Sequence, residues 1–367
     1  MKIMQILPSL HMGGGEKFAV DLCNEQAKLK HDVTLCVIGE LDDSMRLVNM
    51  INTKVNIISL DKKMGFDFQI FYKLYKLIKE VNPDIVHMHL RAFTYSLLSM
   101  LLLKNQFIHT FHTLAEKETA GKIKRLIYVF FLSRKNVTPV SITTMVEKSV
   151  HKRFGEIGNT LISNGVTPLV ITDNFSSVKN EISKYKFNDD TKVFINVARV
   201  TKVKNQKLLI DTFKRLKEEN INVILIVVGS LNNEKEYADS CLKSAKNMNN
   251  VFFLDEKENV SDYIACSDIF CLSSHFEGLP LTILESMSLG KVTLATPVGG
   301  IPDVIMNGKN GILSKDNSLD AYINIVRKSI THNFMREKDI INLFEEKYSM
   351  SICENKYNTL YLDKISQ

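Results

Sequence analysis

Short apolar runs alternate with amphipathic stretches along the first half of the chain. Apolar runs of about four to eight residues between turn-forming residues are typical of buried strands, and longer stretches with apolar positions three and four apart are typical of helices. The runs predict strands at Lys2–Leu7, Asp32–Ile38, Val55–Leu60, Asp84–Met88, Gln106–Phe111 and Val137–Val140. Helical stretches such as Phe68–Val81 and Arg91–Leu103 separate them. Strands that alternate with helices indicate a parallel sheet with helices on both faces.

The alternation pauses in the middle of the chain and then restarts. Strands are predicted again at Lys192–Ala198, Asn222–Val228, Val251–Leu254 and Ile269–Leu272. Residues 167–190 between the halves are mixed polar and have no strong period, which predicts an interdomain linker. We therefore predict a first α/β domain at residues 1–166, a second at residues 191–345, and a C-terminal helix at residues 346–367. A chain of 367 residues with 45% hydrophobic content can bury a core in each domain.

Cysteine usage and hydropathy indicate a cytoplasmic protein. The six cysteines are scattered without a Cys-x-x-Cys pair, so we expect reduced packing residues. The N-terminus reads as a short apolar strand followed by a glycine loop rather than as a signal peptide. No run approaches the ~20 apolar residues that span a bilayer. We expect a soluble protein, or one that binds a membrane peripherally.

The positive charge is concentrated in the first half. Residues 1–166 hold 22 Lys and Arg against 15 Asp and Glu, whereas the remainder holds 25 against 26. A basic domain can face anionic lipid, a diphosphate-linked acceptor or nucleic acid, although ordinary solvated lysines would give the same excess. The basic half lacks the interleaved aromatic residues of base-stacking surfaces, so no nucleic-acid partner is expected.

Residues 122–135 combine an apolar run, Ile127 to Leu132, with basic flanks. Such a pattern can lie on an anionic membrane surface. The run is short and apolar around its circumference, so a buried helix with charged ends is the favoured interpretation.

Two carboxylates stand eight positions apart around the Gly-Leu-Pro turn at residues 278–280. Glu277 lies in the turn, and Pro280 predicts the first position of a helix that includes Glu285. Unpaired N–H groups at such a helix start can bind phosphate or sugar hydroxyls, and Glu285 can accept two hydrogen bonds from a vicinal diol such as ribose. Two solvated surface acids are the plain alternative. The pair, however, follows the carboxyl end of a predicted strand, where open α/β sheets bind ligands.

Three further strand ends have residues suited to nucleotide binding. Gly14 and Gly15 follow the first strand and precede a helix, so their backbone can approach a diphosphate. The loop lacks the Gly-x-Gly-x-x-Gly dinucleotide pattern, and a plain flexible turn would explain the glycines equally well. Arg199 and Lys204 lie five positions apart across a strand-to-helix loop and can converge on one diphosphate. Gly229 follows a buried strand, where a nucleotide base could pack closely or the chain could simply turn.

Four histidines lie at two neighbouring strand ends: His87, His89, His109 and His112. A single histidine after a strand is more often structural than catalytic. The cluster of four at two adjacent strand ends favours a functional role for at least one of them.

The segment from Glu277 to Glu285 resembles the Glu-x7-Glu motif of retaining, nucleotide-sugar-dependent glycosyltransferases of family 4, and Arg199 with Lys204 resembles their Arg-x4-Lys pair. The resemblance implies the GT-B fold, in which two Rossmann-like domains with parallel sheets face each other across a cleft. It also implies that Glu285 holds the donor ribose, that Glu277 lies against the transferred sugar, and that the two cations neutralise the leaving diphosphate. His112 is our choice for the family's strand-end histidine beside the donor sugar, ahead of His89 and His109.

The same resemblance extends to both ends of the chain. Gly14 and Gly15 match the close-approach positions of the family's Gly-Gly-x-Glu loop, and Gly299 and Gly300 resemble part of its nucleotide-binding domain. In GT-B enzymes the last helix typically crosses back to the first domain, and residues 351–361 could do so here.

The function implied is transfer of a hexose or N-acetylhexosamine from a UDP- or GDP-sugar to a saccharide or polyprenyl-diphosphate-linked acceptor in surface-polysaccharide synthesis. The second domain would hold the donor and the basic first domain the acceptor, at the inner face of the cell membrane. The chain has no Asp-x-Asp, so we expect metal-independent transfer without a cofactor. A nucleotide-sugar epimerase of the same fold and a non-catalytic partner protein are the alternatives.

Overall fold

The chain divides into two compact units in the computed structural model, which describes residues 1–42 and 45–367. The first unit comprises Met1–Thr167 together with Lys347–Gln367, and the second comprises Pro168–Glu346. All strands predicted above form, with bounds that differ from the prediction by at most two residues.

The first unit contains a seven-stranded parallel sheet in the order β3-β2-β1-β4-β5-β6-β7. Its strands are β1 (Lys2–Leu7), β2 (Asp32–Gly39), β3 (Asn56–Lys62), β4 (Ile85–His89), β5 (Gln106–Phe111), β6 (Val137–Ser141) and β7 (Thr160–Leu161). Its helices up to residue 167 are α1 (Gly14–Lys28), α2 (Gln69–Val81), α3 (Ala92–Tyr95), α4 (Leu97–Leu102), α5 (Ala115–Glu118), α6 (Lys122–Leu132) and α7 (Thr144–Phe154), with a short 3-10 helix at Val48–Met50. Central strands such as β4 are buried on both faces, as expected for a parallel sheet between helices.

The second unit contains a six-stranded parallel sheet in the order β10-β9-β8-β11-β12-β13. Its strands are β8 (Lys192–Val197), β9 (Val223–Val228), β10 (Val251–Phe253), β11 (Ile269–Leu272), β12 (Val292–Ala295) and β13 (Gly311–Leu313). Its helices are α8 (Phe175–Ser183), α9 (Gln206–Glu218), α10 (Lys235–Ala245), α11 (Val260–Ala265), α12 (Leu281–Ser288), α13 (Ile301–Val304), α14 (Leu319–Thr331) and α15 (Glu337–Lys347). The core of this unit lies where β8, β9 and β11 pack against α9 and α14.

The final helix, α16 (Met350–Ser366), is part of the first unit, where it packs on α1. The backbone N–H of Val166 donates to Tyr348 (3.0 Å), and that of Met350 donates to Val166 (2.9 Å). Tyr357 and Tyr361 on α16 are fully buried. The end of the chain therefore completes the core of the unit that contains its beginning.

The segment expected to be a linker, residues 167–190, is instead an ordered part of the second unit from Pro168 onward. Residues 175–183 form α8, which buries Val178 and Ile182. Thr172 donates two hydrogen bonds to the Asp262 carboxylate, from its N–H (2.8 Å) and from its hydroxyl (2.6 Å). The short amphipathic helix was missed because its apolar positions are few and its neighbours are polar.

Two helix expectations also differ from the structure. The stretch 91–103 is two helices rather than one, and the break falls at Ser96, whose hydroxyl donates to the Ala92 carbonyl (3.0 Å) and competes with regular helix bonding. Helix α6, expected to be buried, exposes Ile123, Leu126 and Phe130 along one stripe. No helix within the described ranges combines the length and the apolar character needed to cross a bilayer.

Candidate active site

Lys204 and Glu277, both predicted site residues, form an ion pair at the carboxyl edge of the second sheet. The Lys204 ammonium lies 2.6 Å from Glu277 Oε1, and the Ser274 hydroxyl donates to the same oxygen, also at 2.6 Å. Glu277 is only 9% exposed, so its charge is compensated by a short charge-assisted bond rather than by water. The interpretation of Glu277 as a solvated surface acid is therefore excluded.

The loops after β8 and β11 are joined by hydrogen bonds that position this pair. The Ser273 hydroxyl donates to the carbonyls of Lys204 (3.0 Å) and Asn205 (2.9 Å), and the His275 N–H donates to Val203 (2.8 Å). Strands β8 and β11 are neighbours in the sheet, so their carboxyl ends deliver both loops to one place. The positions of Lys204 and Glu277 thus follow from strand order.

Gly299 supports the Glu277 turn from the next loop along the sheet. It has a φ of +62°, and a Cβ at this position would lie 1.9 Å from the Glu277 carbonyl oxygen. The N–H of Gly300 donates to the Gly278 carbonyl at 2.7 Å, and the Thr296 hydroxyl donates to Ser274 at 2.7 Å. Gly299 and Gly300 therefore pack closely against the backbone of the Glu277 turn.

Gly229 packs against the backbone that leads into Arg199. Its φ is +151°, and a Cβ would lie 2.0 Å from the Ala198 carbonyl oxygen and 3.1 Å from the Arg199 nitrogen. Arg199 itself is exposed, and its guanidinium makes no ion pair within residues 1–42 and 45–367. The structure thus gives Lys204 an internal carboxylate partner and leaves Arg199 at the surface; their convergence on one diphosphate stays a prediction.

Glu285 lies on α12 and is 7% exposed, so it too is not a solvated surface acid. Helix α12 begins at Leu281, one position later than predicted, because Pro280 keeps an extended ψ of 114° and acts as the residue before the helix. Glu285 therefore falls in the second turn of the helix. A carboxylate this buried needs polar partners to offset its desolvation.

In the first unit, the glycine loop leads directly into α1. The helix starts at Gly14, with Gly13 before it in extended conformation. A Cβ on Gly14 would meet no heavy atom within 4 Å, whereas one on Gly15 would lie 3.0 Å from the Leu90 side chain. The backbone at Gly14 is accordingly open to a ligand, while Gly15 also accommodates the residue that follows β4.

His112 stands at the end of a chain of buried polar side chains. Gln5 donates from Nε2 to Gln26 (3.0 Å), so its Oε1 accepts from His89 Nε2 (2.8 Å). His89 Nδ1 then carries no proton and accepts from His112 Nε2 at 3.0 Å. This assigns the His112 proton to Nε2 and leaves the lone pair on Nδ1.

Burial keeps these rings neutral. It lowers the pKa of His112 to about 3, with a smaller contribution from His109, and it lowers the pKa of His89 well below the ordinary value. A neutral imidazole with a free Nδ1 lone pair accepts a hydrogen bond from a hydroxyl and does not act as a general acid near neutral pH.

The other two histidines are bound into the fold. His87 contacts the hydroxyl of Tyr361 (2.6 Å) and that of Thr110 (2.7 Å), which ties β4 to α16. His109 lies 2.6 Å from the Glu118 carboxylate. His87, His89 and His109 are all fully buried among protein atoms. Of the four histidines, only His112 therefore remains as a candidate ligand contact.

Two residues of this arrangement were missed from the sequence, although each left a signal. Ser274 comes three positions before Glu277, directly after a buried strand, and Gln5 is a polar residue inside the otherwise apolar strand β1. Within the described parts of the chain, no group of three His, Cys, Asp or Glu side chains is arranged to hold a metal ion.

Comparison with known proteins matches the two halves of the chain to two family models. Residues 12–168 match the family model described as Glycosyltransferase Family 4, and residues 177–342 match the one described as Glycosyl transferases group 1. The chain is 23% identical to the capsular polysaccharide biosynthesis glycosyltransferase CapH of Staphylococcus aureus, with 99% of each chain covered. It is 25% identical to the UDP-Gal:alpha-D-GlcNAc-diphosphoundecaprenol alpha-1,3-galactosyltransferase of Escherichia coli, over 95% of this chain and 90% of that one.

Among solved structures, Alr3699/HepE of Anabaena in complex with UDP is similar with a TM-score of 0.81. The two chains are 16% identical, and the match covers 99% of this chain and 100% of the other. At that identity the likeness concerns the fold, and it confirms the predicted class of two Rossmann-like domains with parallel sheets.

Proposed function

The chain belongs to the glycosyltransferases of family 4 and group 1, and from this premise we propose that it transfers a sugar from a UDP- or GDP-sugar to a saccharide or polyprenyl-diphosphate-linked acceptor, with retention of anomeric configuration. The transferred group is a hexose or N-acetylhexosamine. The second unit holds the donor and the first unit holds the acceptor.

The ion pair between the partly buried Lys204 and the buried Glu277 is the observation that carries this proposal. A lysine held 2.6 Å from a buried carboxylate, at the sheet edge where α/β proteins bind ligands, can turn to a diphosphate oxygen when the donor arrives. Glu277 is then available to the hydroxyls of the transferred sugar. Both roles require the two side chains to be neighbours, as they are.

The chemical step breaks the bond between the sugar C1 and the diphosphate oxygen and forms a bond from C1 to the acceptor oxygen. Negative charge grows on the leaving diphosphate, where Lys204 and Arg199 stabilise it. The acceptor's hydroxyl proton passes to a diphosphate oxygen on the same face of the sugar. No protein nucleophile is needed, so Glu277 orients the sugar.

Each unit also has residues suited to the hydroxyl and phosphate groups of the substrates. Glu285 accepts hydrogen bonds from the ribose hydroxyls, for which a carboxylate on the second turn of α12 is suited. His112, neutral and with its Nδ1 lone pair free, accepts from a sugar hydroxyl. The amides at Gly14, where no side chain intrudes, offer donors for a phosphate or hydroxyl.

Transfer is proposed to be metal-independent. The chain has no Asp-x-Asp, the usual carboxylate pair for a metal-held diphosphate, and Lys204 and Arg199 supply positive charge in its place.

The acceptor is proposed to be a lipid-linked saccharide of surface-polysaccharide synthesis, which places the enzyme in the cytoplasm at the inner face of the membrane. The support is the printed activity of the Escherichia coli relative on a diphosphoundecaprenol-linked sugar and the capsule assignment of CapH. The excess of Lys and Arg in residues 1–166 suits a diphosphate-linked acceptor.

Calorimetric titration with UDP, GDP, ADP and NAD tests the donor site. We expect selective binding of UDP or GDP, which Glu285→Ala abolishes or weakens strongly. Glu277→Gln is the matched control: it should leave nucleoside diphosphate binding largely intact while lowering turnover, because Glu277 is assigned to the sugar. Small, equal effects of both variants, or binding of NAD alone, would refute the assignment. Isomerised donor without any acceptor would identify an epimerase.

A further inference from the structure

The turn between β3 and α2 exposes an unusual concentration of large apolar side chains. Met64 is 103% exposed, Phe68 79% and Phe66 63%, and Tyr72 on the first turn of α2 is also exposed. We refer to residues 62–72 as the aromatic turn. Single exposed apolar residues need no explanation, but a contiguous exposed group marks an interaction surface.

The aromatic turn is an ordered structure. The Lys62 ammonium donates to the carbonyl of Lys63 (2.9 Å) and to that of Gly65, and Gly65 reverses the chain with a φ of +97°. The rings of Phe66 and Phe68 pack edge to face with centroids 4.6 Å apart. The hydrogen bonds and the ring packing hold the apolar side chains outward in one group.

This group continues into the molecule through two further rings. Phe71 lies 6.0 Å from Phe66 and 5.6 Å from Tyr95 between ring centroids, and the Lys62 ammonium sits 5.7 Å from the centre of the Tyr95 ring. The exposed rings are therefore supported by further packed aromatic side chains beneath them.

Exposed lysines lie on the aromatic turn and along α2, and the turn itself holds two lysines against one carboxylate, Asp67. Lys63 on the turn and Lys73, Lys76 and Lys79 on α2 are all exposed, and the Lys76 ammonium lies 5.7 Å from the centre of the Tyr72 ring. Aromatic rings prefer the interfacial zone of a bilayer, and lysines beside them reach the lipid phosphates. Apolar and basic residues in one patch are complementary to an anionic lipid surface.

We propose that the aromatic turn inserts into the interfacial region of an anionic bilayer and docks the first unit on the membrane. The turn follows the carboxyl end of β3, and His112 and the glycine loop follow the carboxyl ends of β5 and β1 in the same parallel sheet. Docking there brings the acceptor-binding edge to the lipid surface. The choice of a membrane-bound acceptor rests on the proposed function, whereas vesicle binding itself does not.

The chain contains no tryptophan, so one introduced tryptophan reports on its own surroundings. In the full chain, Phe66→Trp is titrated with vesicles of phosphatidylethanolamine and phosphatidylglycerol, and with phosphatidylcholine alone. A blue shift and protection from an aqueous quencher are expected only with the anionic vesicles. The matched control is Phe130→Trp, on the exposed stripe of α6 in the same unit, which should keep the emission of a water-exposed ring.

Co-sedimentation with the same vesicles gives the second readout. The triple variant Met64→Ser, Phe66→Ser, Phe68→Ser should lose vesicle binding by about tenfold or more, while its melting temperature and its binding of UDP or GDP stay unchanged. The corresponding variant of α6, Ile123→Ser, Leu126→Ser, Phe130→Ser, should bind vesicles like the parent chain.

Four results would each overturn the proposal that the aromatic turn docks on the membrane. They are retained vesicle binding in the Met64, Phe66 and Phe68 variant, loss of binding confined to the α6 variant, equal binding to neutral vesicles, and no vesicle binding by the parent chain. A dimer that dissociates in the triple variant, without vesicle binding, would show that a second copy covers the patch instead. Because nucleotide binding is measured in parallel, failure of membrane docking is distinguishable from failure of the donor site.

Discussion

Replacement of Gly299 by alanine should damage both the stability of the second unit and the geometry of Glu277. The left-handed conformation at φ +62° costs a residue with a Cβ about 1–2 kcal/mol. The added Cβ would also lie 1.9 Å from the Glu277 carbonyl oxygen. An ordinary contact is about 3.5 Å, so the Glu277 turn must shift by about 1.6 Å.

A displacement of that size is large compared with the 2.6 Å contacts that Glu277 makes with Lys204 and Ser274. Misplacement of a site group by about 1 Å can lower turnover by about 100-fold. We therefore expect Gly299→Ala to reduce kcat by about that factor, and to lower the melting temperature by several degrees for about 2 kcal/mol of lost stability.

Gly308→Ala is the matched control. Gly308 has a similar φ of +80°, but its added Cβ would find its nearest neighbour, His332 Nε2, at 3.7 Å. This variant should show the conformational cost alone, with unchanged kcat. Melting temperatures by calorimetry and transfer rates with saturating donor measure both quantities. If Gly299→Ala and Gly308→Ala give the same melting temperature and the same kcat, the contact of Gly299 with the Glu277 turn contributes to neither stability nor turnover.

Three further outcomes are expected. Burial, reinforced by the charge of Glu25, raises the pKa of Glu354 from 4.5 to about 7, so between these values the folded state holds a proton that the unfolded state has released, and stability falls as pH rises. Urea unfolding of Glu354→Gln should lack this fall, so the variant should gain stability relative to the parent progressively up to pH ~7 and keep that gain above it. Gln5→Glu should raise the pKa of His89 by placing a carboxylate at its Nε2, and protonated His89 can no longer accept a hydrogen bond from His112. Turnover should therefore fall at acidic pH in this variant and not in the parent, which pH–rate profiles measure, and NMR of the histidine rings reports the raised pKa. Excess EDTA should leave turnover unchanged, and a loss restored by Mg²⁺ or Mn²⁺ would contradict metal-independent transfer.

The fold class and the order of the site loops could be predicted from the sequence. The strands are short, apolar and locally bounded, so their position depends on neighbouring residues alone, and the restart at residue 192 separates two sheets. Spacing along the chain also placed Lys204 and Glu277 at the ends of two strands that proved to be adjacent. The two loops lie together because strand order in a parallel α/β unit brings such ends together, whereas the roles of Lys204 and Glu277 in donor binding stay predictions.

Burial of amphipathic segments was harder to predict. Helix α6 was expected to be buried, yet it covers the sheet with Tyr128, Phe131 and Leu132 only, and its other apolar face is exposed. The aromatic turn was not recognised as a surface at all. Hydrophobicity along the chain shows which residues are apolar, whereas the number of neighbours available to cover them depends on the packing of distant elements.

The sequence by itself determined the elements, the parallel sheets and the residue types at their carboxyl ends, because these follow from local periodicity. Tertiary structure alone decided that Lys204 pairs with Glu277, that Gly299 contacts the Glu277 backbone, and that Gln5 and His89 set the proton on His112. Each of these contacts joins residues far apart in the chain, and its distance, burial and protonation exist only once the strands that carry them are packed side by side.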